Sequence, residues 1–280
     1  MSSLAICPSM RALTRLGTES GAEHMTCYLP PIVEPEAIYD VSILRFDPDV
    51  DAEPHWDNYK IPFVRTMTVI EGLEWLWDQG EYIAFRSNCR EFTCGSCAME
   101  INGKPALACD TLLEDGIRIE PMSRYPVLRD LVVDSSSVAR RYKELRLWPE
   151  CKHDKDGKTC STGDWTIDWD VIKRYRETYS RCIECYSCLD ACPASHSDRS
   201  QYYGPMYMLQ LGRAMEHPAD EADRVGQAAR QSGMWLCINC YECATVCPMQ
   251  LNPAEVVGRL RRKVMKRPGL IMGRRSREAT

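Results

Sequence analysis

The residues best suited to do chemistry are cysteines, eight of which form two copies of one rare pattern. Each copy reads C-x2-C-x2-C-x3-C-P, with Cys182, Cys185, Cys188 and Cys192 in the first run and Cys237, Cys240, Cys243 and Cys247 in the second. In such paired runs the first three thiolates bind one iron–sulfur cluster and the fourth binds the neighbouring cluster. Zinc sites use separate pairs of cysteines rather than repeated runs of four closed by Cys-Pro, so structural zinc is the weaker interpretation. The pattern predicts two iron–sulfur clusters.

A second pattern lies earlier in the chain and has the spacing C-x4-C-x2-C-x11-C. Its members are Cys89, Cys94, Cys97 and Cys109. This is the plant-type 2Fe-2S spacing, in which a tight loop wraps the cluster and a later strand returns the fourth thiolate. Asn102-Gly103 is a type I′ turn signal between two strand-like segments, so we expect a hairpin to bring Cys109 back. The sequence therefore predicts a 2Fe-2S cluster here.

The elements around this pattern are those of a β-grasp fold. They are predicted as strands near residues 38–43 and 59–63, a helix from 68 to 80, a hairpin over 98–108 and a strand at 117–119. Pro62 marks the second strand as an edge strand, because proline cannot donate to a ladder. Thr68 and Glu71 form a capping-box signal at the start of the helix.

The hydrophobic period changes from strand-like to helical after Asp134, which predicts a domain boundary near residue 135. Helices are expected near 138–148, 168–179, 205–216, 220–232 and from 253 onward. The fold class is predicted as α+β. A β-grasp 2Fe-2S ferredoxin-like domain spans residues 35–135, and an all-helical ferredoxin domain with two further clusters and a basic tail spans 136–280. Residues 1–34 lack an apolar period and are predicted to be a disordered extension.

The composition argues against a membrane-spanning protein and against a secreted protein held by disulfides. The 280 residues carry sixteen cysteines and a net charge of −5, and no apolar run approaches the ~20 residues that span a bilayer. No signal-peptide pattern is present, so we expect reduced, metal-bound thiols rather than disulfides, and membrane contact only through a partner.

Residues 259–277 hold nine Lys or Arg and no acid before Glu278. Without interleaved aromatic residues this tail does not predict nucleic-acid binding, although anionic lipid is an alternative to a solvated helix end.

Four cysteines fall outside these patterns. They are Cys7, Cys27, Cys151 and Cys160. The first two lie in the predicted extension, and the separation of the last two matches no cluster spacing. We predict that all four are dispensable for cluster content.

The motifs together resemble the iron–sulfur subunit of succinate dehydrogenases and fumarate reductases. The likeness covers residues 38–267 and rests on the three cysteine sets, on Tyr203-Gly204-Pro205 and on Leu251-Asn252-Pro253. It implies that Cys182, Cys185, Cys188 and Cys247 hold a 4Fe-4S cluster and that Cys192, Cys237 and Cys243 hold the third. It also implies an FAD-containing flavoprotein partner, a membrane-anchor or quinone-reacting partner, and a location on the cytoplasmic side of the inner membrane.

Two departures from that family affect the third cluster. Membrane-bound members commonly carry aromatics including a tryptophan after the first Cys-Pro, and a histidine after the first cysteine of the second run. Here these places hold Ala194-Ser195-His196-Ser197 and Ile238, and His196 is interpreted as a surface residue or one at a helix start. The family usually has a non-ligand residue at Cys240 and a 3Fe-4S cluster. Because Cys240 completes the spacing, the third cluster is predicted to be 4Fe-4S; the alternative is 3Fe-4S, with Cys240 packed as a small apolar side chain.

Function follows from what the sequence lacks as well as from its cysteines. It has no G-x-G-x-x-G loop, no recognisable pair of catalytic carboxylates and no nucleophile motif, so we expect it to bind neither flavin nor substrate. The prediction is an electron-transfer subunit with no catalytic residue of its own. One alternative is a freestanding ferredoxin-type carrier. Another is the iron–sulfur subunit of a related flavoprotein complex whose acceptor is a thiol or disulfide.

Overall fold

The computed structural model describes residues 35–150, 168–196, 201–218, 220–230, 233–267 and 269–270. The predicted N-terminal extension and the four cysteines outside the patterns lie beyond these ranges. The helical domain predicted after residue 135 is described in part.

The first half of the described chain is a mixed five-stranded sheet with one helix packed against it. Its elements are β1 (Ala37–Arg45), β2 (His55–Phe63), α1 (Val69–Asp78), β3 (Ala98–Ile101), β4 (Lys104–Leu107) and β5 (Ile117–Glu120), with strand order β2-β1-β5-β3-β4. β1 pairs antiparallel with β2 and parallel with β5. Pro62 lies on the edge strand, as predicted, and the β-grasp order of elements is confirmed.

Local sequence signals explain why these elements form. The Thr68 amide donates to Glu71 Oε2 at 2.7 Å, so the predicted capping box starts α1. Asn102 and Gly103 adopt φ of 52° and 72°, as a type I′ turn requires between β3 and β4. Val41 and Ile43 on β1 are fully buried, and they join the apolar face of α1 in one core.

Asp130 organises a small hairpin that the sequence analysis did not predict. The strands are β6 (Val127–Arg129) and β7 (Val132–Val133). At the turn the buried Asp130 carboxylate accepts from the Arg45 guanidinium at 2.9 Å, from the Phe46 amide at 3.1 Å and from the Ala84 amide at 2.8 Å. One side chain therefore joins β1, the hairpin and the segment leading to the first cysteine loop.

The described residues after 135 form helices and turns. The helices are α2 (Ser136–Glu144), α3 (Trp169–Tyr175), α4 (Ser187–Asp190), α5 (Pro205–Met215), α6 (Arg224–Arg230), α7 (Glu242–Thr245) and α8 (Pro253–Met265), and a π turn over Arg176–Ser180 extends α3. α5 and α8 pack together and contribute many buried residues to the core of this half, including Leu209, Leu211, Val256 and Leu260. None of the described helices is both long and apolar enough to cross a membrane.

Two predicted helices are shorter than expected. α2 ends at Glu144 rather than near residue 148, and Arg146 has a φ of 44°, which no α-helix continues through. α6 begins at Arg224 rather than near residue 220. The Asp220 carboxylate accepts from the Glu150 amide at 2.8 Å and from Arg224 at 2.7 Å, so it holds the loop before α6 instead of a first helical turn.

The two halves are held together by Arg124. Its amide donates to Asp190 Oδ1 at 2.9 Å, and its guanidinium donates to Ser195 Oγ at 2.7 Å. Asp190 lies within the first C-x2-C-x2-C-x3-C-P run, and Ser195 lies two residues after it. The boundary near residue 135 stays a prediction. A fragment that ended there would lose the two hydrogen bonds of Arg124 to Asp190 and Ser195.

Candidate iron–sulfur cluster sites

The first site is the loop that carries Cys89, Cys94 and Cys97. Backbone amides of Glu91, Thr93 and Cys94 all point at Cys89 Sγ, at distances of 3.3 to 3.4 Å. Hydrogen bonds from the Thr93 side chain, then from the Glu91 amide and the Cys94 side chain, lower the pKa of the Cys89 thiol to about 6. Donors that converge on sulfur stabilise a thiolate, which is the form that binds iron.

The fourth member of this set returns just after β4, as the hairpin prediction required. Cys109 Sγ lies 3.4 Å from Cys97 Sγ and accepts from the Phe92 amide at 3.3 Å. Both thiols are buried, and burial raises the pKa of Cys97 to about 12. A buried thiol of this kind is protonated unless a metal displaces the proton, so the donor set fits an iron-bound cluster.

The second site combines the first three cysteines of run one with the last cysteine of run two. Cys182, Cys185, Cys188 and Cys247 line a single small cavity whose other walls include Ile183, Met206, Leu209 and Leu251. Burial is the main cause that raises the pKa of Cys182 to about 12 and that of Cys188 well above its usual range. Four thiols around an apolar cavity fit a cubane. Their assignment to the 4Fe-4S cluster stays a proposal.

The third site groups the remaining thiols. Burial, followed by the charges of Cys192, Cys237 and Cys240, raises the pKa of Cys243 to about 12, so all three lie close to it. Cys188 lies on α4 and Cys243 on α7, and these two helices contact each other, so the second and third sites are neighbours. Cys192 and Cys243 are buried, whereas Cys240 is exposed. Cys240 therefore does not pack as a buried apolar side chain.

The two runs have the same backbone conformation. Glu184 and Tyr186 have φ of 52° and 68°, and the matching Asn239 and Tyr241 have 56° and 65°. Each left-handed tyrosine then precedes a one-turn helix, α4 or α7. Cys185 and Cys240 consequently occupy equivalent places between the two left-handed residues of their runs.

These sites differ from a site for a single metal ion. Among the residues that the structure describes, no three His, Cys, Asp or Glu side chains are arranged to hold one ion. In a cluster the thiolates bind different iron atoms, so its ligands do not have to converge on one point.

Two residues that contact the second run were missed by sequence reasoning. The buried Tyr202 hydrogen-bonds to the Cys237 side chain. Arg261 on α8 donates to the carbonyls of Met234 at 2.8 Å and of Cys237 at 2.7 Å. Neither belongs to a local motif, and Arg261 sits in a basic stretch that resembles an ordinary solvated helix face. No signal in the sequence distinguishes Arg261 from the other basic residues of this stretch.

His196 and Ile238 stand at the positions that depart from the family pattern. Both are exposed, and the His196 ring contacts the Asp190 carbonyl. His196 follows a single 3-10 turn over Pro193–Ser195. This agrees with its interpretation as a surface residue.

Two protein families match the two halves. Residues 40–140 match the family described as a 2Fe-2S iron-sulfur cluster binding domain, and residues 178–251 match the family described as a 4Fe-4S dicluster domain. The predicted 2Fe-2S and 4Fe-4S cofactors are thereby confirmed, and the remaining four cysteines are consistent with a third cluster.

Individual relatives agree with these matches. The fumarate reductase iron-sulfur subunit of Mycobacterium tuberculosis is 34% identical over 78% of this chain and 90% of its own length. A fumarate reductase (CoM/CoB) subunit of Methanothermobacter marburgensis is 36% identical over 79% of this chain, which spans only 43% of that longer protein. A chain of the Mycobacterium smegmatis Sdh1 complex in the apo form superimposes with a TM-score of 0.72 at 26% identity, covering 82% of this chain and 98% of that one.

The fold, the three thiol sets and the relatives lead to one assignment, which confirms the resemblance seen in the sequence. The chain belongs to the family of iron–sulfur subunits of fumarate reductase and succinate dehydrogenase complexes.

Proposed function

We propose that this chain is the electron-relay subunit of a fumarate reductase or succinate dehydrogenase complex. One partner is an FAD-containing flavoprotein subunit that carries the substrate site, and another is a membrane-anchor or quinone-reacting subunit. The complex lies on the cytoplasmic side of the inner membrane, and this chain reaches the membrane only through its partners. The observation that supports the proposal best is the succession of three thiol sets in one compact unit beginning at Pro35.

Each of the three thiol sets has a different environment, which is provided by the residues around it. When bound, iron–sulfur clusters supply one-electron redox chemistry, and their potentials respond to hydrogen bonds, charge and burial. The amides around Cys89 favour negative charge on sulfur at the first site. The cavity at Cys182 and Cys247 surrounds the second site with mainly apolar walls. At the third site Arg261 and Tyr202 hold the loop of Cys237.

The third site is the proposed end of the relay because it is open to the surface. Its rim carries exposed apolar side chains at Trp235, Leu236, Ile238 and Tyr241. A groove beside it is lined by residues that include Tyr202 and Arg141. An exposed apolar rim at a redox site suits a docking partner, since such patches commonly mark interaction surfaces.

We further propose that the third cluster is 4Fe-4S, with Cys192, Cys237, Cys240 and Cys243 as ligands. The support is the repeated backbone, which gives Cys240 the same place in its run that Cys185 has in the first. Cys185 lines the cavity of the second site, and we therefore expect the equivalent Cys240 to face the third.

Purification of the native protein under anaerobic conditions tests the relay proposal. We expect it to copurify with a flavin-containing subunit and with a membrane or quinone-reacting subunit, as identified by mass spectrometry. A stable monomer without flavin that exchanges electrons with small reductases would contradict the proposal and favour the freestanding carrier.

A second candidate is a complex whose partner is a thiol or disulfide instead of a quinone. Two observations favour it: the relative whose name specifies a fumarate reductase of the CoM/CoB kind, and the absence of the usual quinone-side residues at Ala194 and Ile238. The chain spans less than half of the length of that relative. Steady-state assays of the native complex with quinols and with dithiols as donors distinguish the two candidates.

A further inference from the structure

Gly95 brings the first ligand loop into direct contact with the second. A Cβ atom at this position would lie 2.9 Å from Cys185 Cβ, 3.0 Å from Cys185 Cα and 3.0 Å from the Ile183 carbonyl oxygen. Two of these three atoms belong to the backbone, so they cannot turn aside as the end of a flexible side chain would. Only a residue without a side chain lets the two loops approach this closely.

The two halves that carry these loops are joined by hydrogen bonds, which would break if the halves moved apart. The Arg124 amide donates to Asp190 at 2.9 Å and its guanidinium donates to Ser195 at 2.7 Å, both on the segment that follows Cys185. A methyl group at Gly95 would therefore either displace the ligand loops locally or strain these hydrogen bonds.

We infer that Gly95 is a positioning residue for electron transfer, setting the closest approach between the Cys89–Cys109 site and the Cys182–Cys247 site. The inference rests on the proposed relay. The step moves one electron from the first site, which is oxidised, to the second, which is reduced. No bond forms or breaks, and no proton or other reactant is involved. The rate of such a step falls as the distance between the two sites grows. The close contact at Gly95 favours the step because it keeps that distance short.

The chain offers a matched control for the backbone conformation. Gly95 has a φ of 71° and Gly103 has a φ of 72°, so alanine strains both in the same way. A Cβ atom at Gly103, however, would meet nothing within 4 Å. A difference between Gly95→Ala and Gly103→Ala therefore reports the steric contact rather than the backbone strain.

The experiment uses the full-length protein with its clusters. Electron paramagnetic resonance measures the relaxation of the reduced 2Fe-2S signal with the neighbouring cluster first oxidised and then reduced. We expect clear relaxation enhancement in the parent and in Gly103→Ala, and a weaker enhancement in Gly95→Ala at unchanged iron content. Parent-like enhancement in a fully loaded Gly95→Ala protein would overturn the inference.

A second variant covers the case in which Gly95→Ala loses the first cluster. Arg124→Ala removes the guanidinium bond to Ser195 Oγ and changes no residue of either ligand loop, and we expect it to weaken the enhancement. Unchanged enhancement in that variant, or none in the parent, would overturn the inference. Failure of the proposed function would appear separately, as a native protein without a flavoprotein partner, and would leave this spin interaction unchanged.

Discussion

Replacing Cys240 by alanine tests the proposed third cluster most directly. The variant removes one thiolate from a site where Cys192, Cys237 and Cys243 remain. Because Cys240 is exposed, the substitution leaves no buried cavity, and we expect little effect on folding. We expect the cluster to lose the iron atom that this thiolate holds and to become 3Fe-4S.

The size of the effect follows from stoichiometry. Each chain should lose one iron atom and gain one paramagnetic centre in the oxidised state. The departing iron ion removes positive charge while the lost thiolate removes negative charge, so the two changes oppose each other in their effect on the potential. The test therefore rests on iron content and on the number of unpaired-spin centres per chain.

Electron paramagnetic resonance of anaerobically oxidised protein provides the assay, because oxidised 3Fe-4S is paramagnetic and oxidised ferredoxin-type 4Fe-4S is silent. The parent should show no such signal and Cys240→Ala should show one per chain. Cys160→Ser serves as a control thiol variant with no expected change. A stoichiometric 3Fe-4S signal already present in the parent would refute the reasoning.

Four further predictions concern the framework of the sites. A fragment of residues 35–135 should reconstitute a 2Fe-2S cluster alone, although with lower thermal stability because Arg124 loses its partners; failure to bind iron would contradict the domain boundary. Serine at all four cysteines outside the patterns, Cys7, Cys27, Cys151 and Cys160, should leave iron content unchanged in a colorimetric assay. Arg261→Met removes two charged hydrogen bonds, each worth about 1.5–3 kcal/mol, and should speed iron loss from the third site under chelator challenge, with Arg262→Met as control. Arg224→Ala leaves the buried Asp220 carboxylate without its cationic partner, so the free energy of unfolding should fall by about 3–5 kcal/mol and the melting temperature should fall with it.

The surroundings of the second and third sites differ. The second site lies within an apolar cavity, whereas the third has Cys240 and Ile238 at the surface. Burial disfavours the more highly charged state of a cluster, so the two neighbouring sites are expected to differ in potential even with the same four ligands. Redox titration of the parent followed by spectroscopy would measure that difference.

The sequence by itself determined the cluster-binding motifs and much of the β-grasp half. Cysteine spacing is a local property, because the reach of a short loop limits which thiolates can meet one cluster. The same holds for the capping box of Thr68 and Glu71 and for the Asn102-Gly103 turn, whose hydrogen bonds and φ angles involve only near neighbours.

Only the tertiary structure decided which distant residues support those motifs. Gly95 meets Cys185 across ninety positions, Arg261 reaches back to Cys237, and Asp130 joins segments from Arg45 and Ala84. Contacts of this kind depend on how helices and strands pack, and an arginine or aspartate that makes them has the same local sequence as one in solvent. The early end of α2 and the late start of α6 have the same cause. The Asp220 carboxylate accepts from the Glu150 amide, and the Arg224 guanidinium donates to the Arg146 carbonyl, and these long-range hydrogen bonds override local helix propensity.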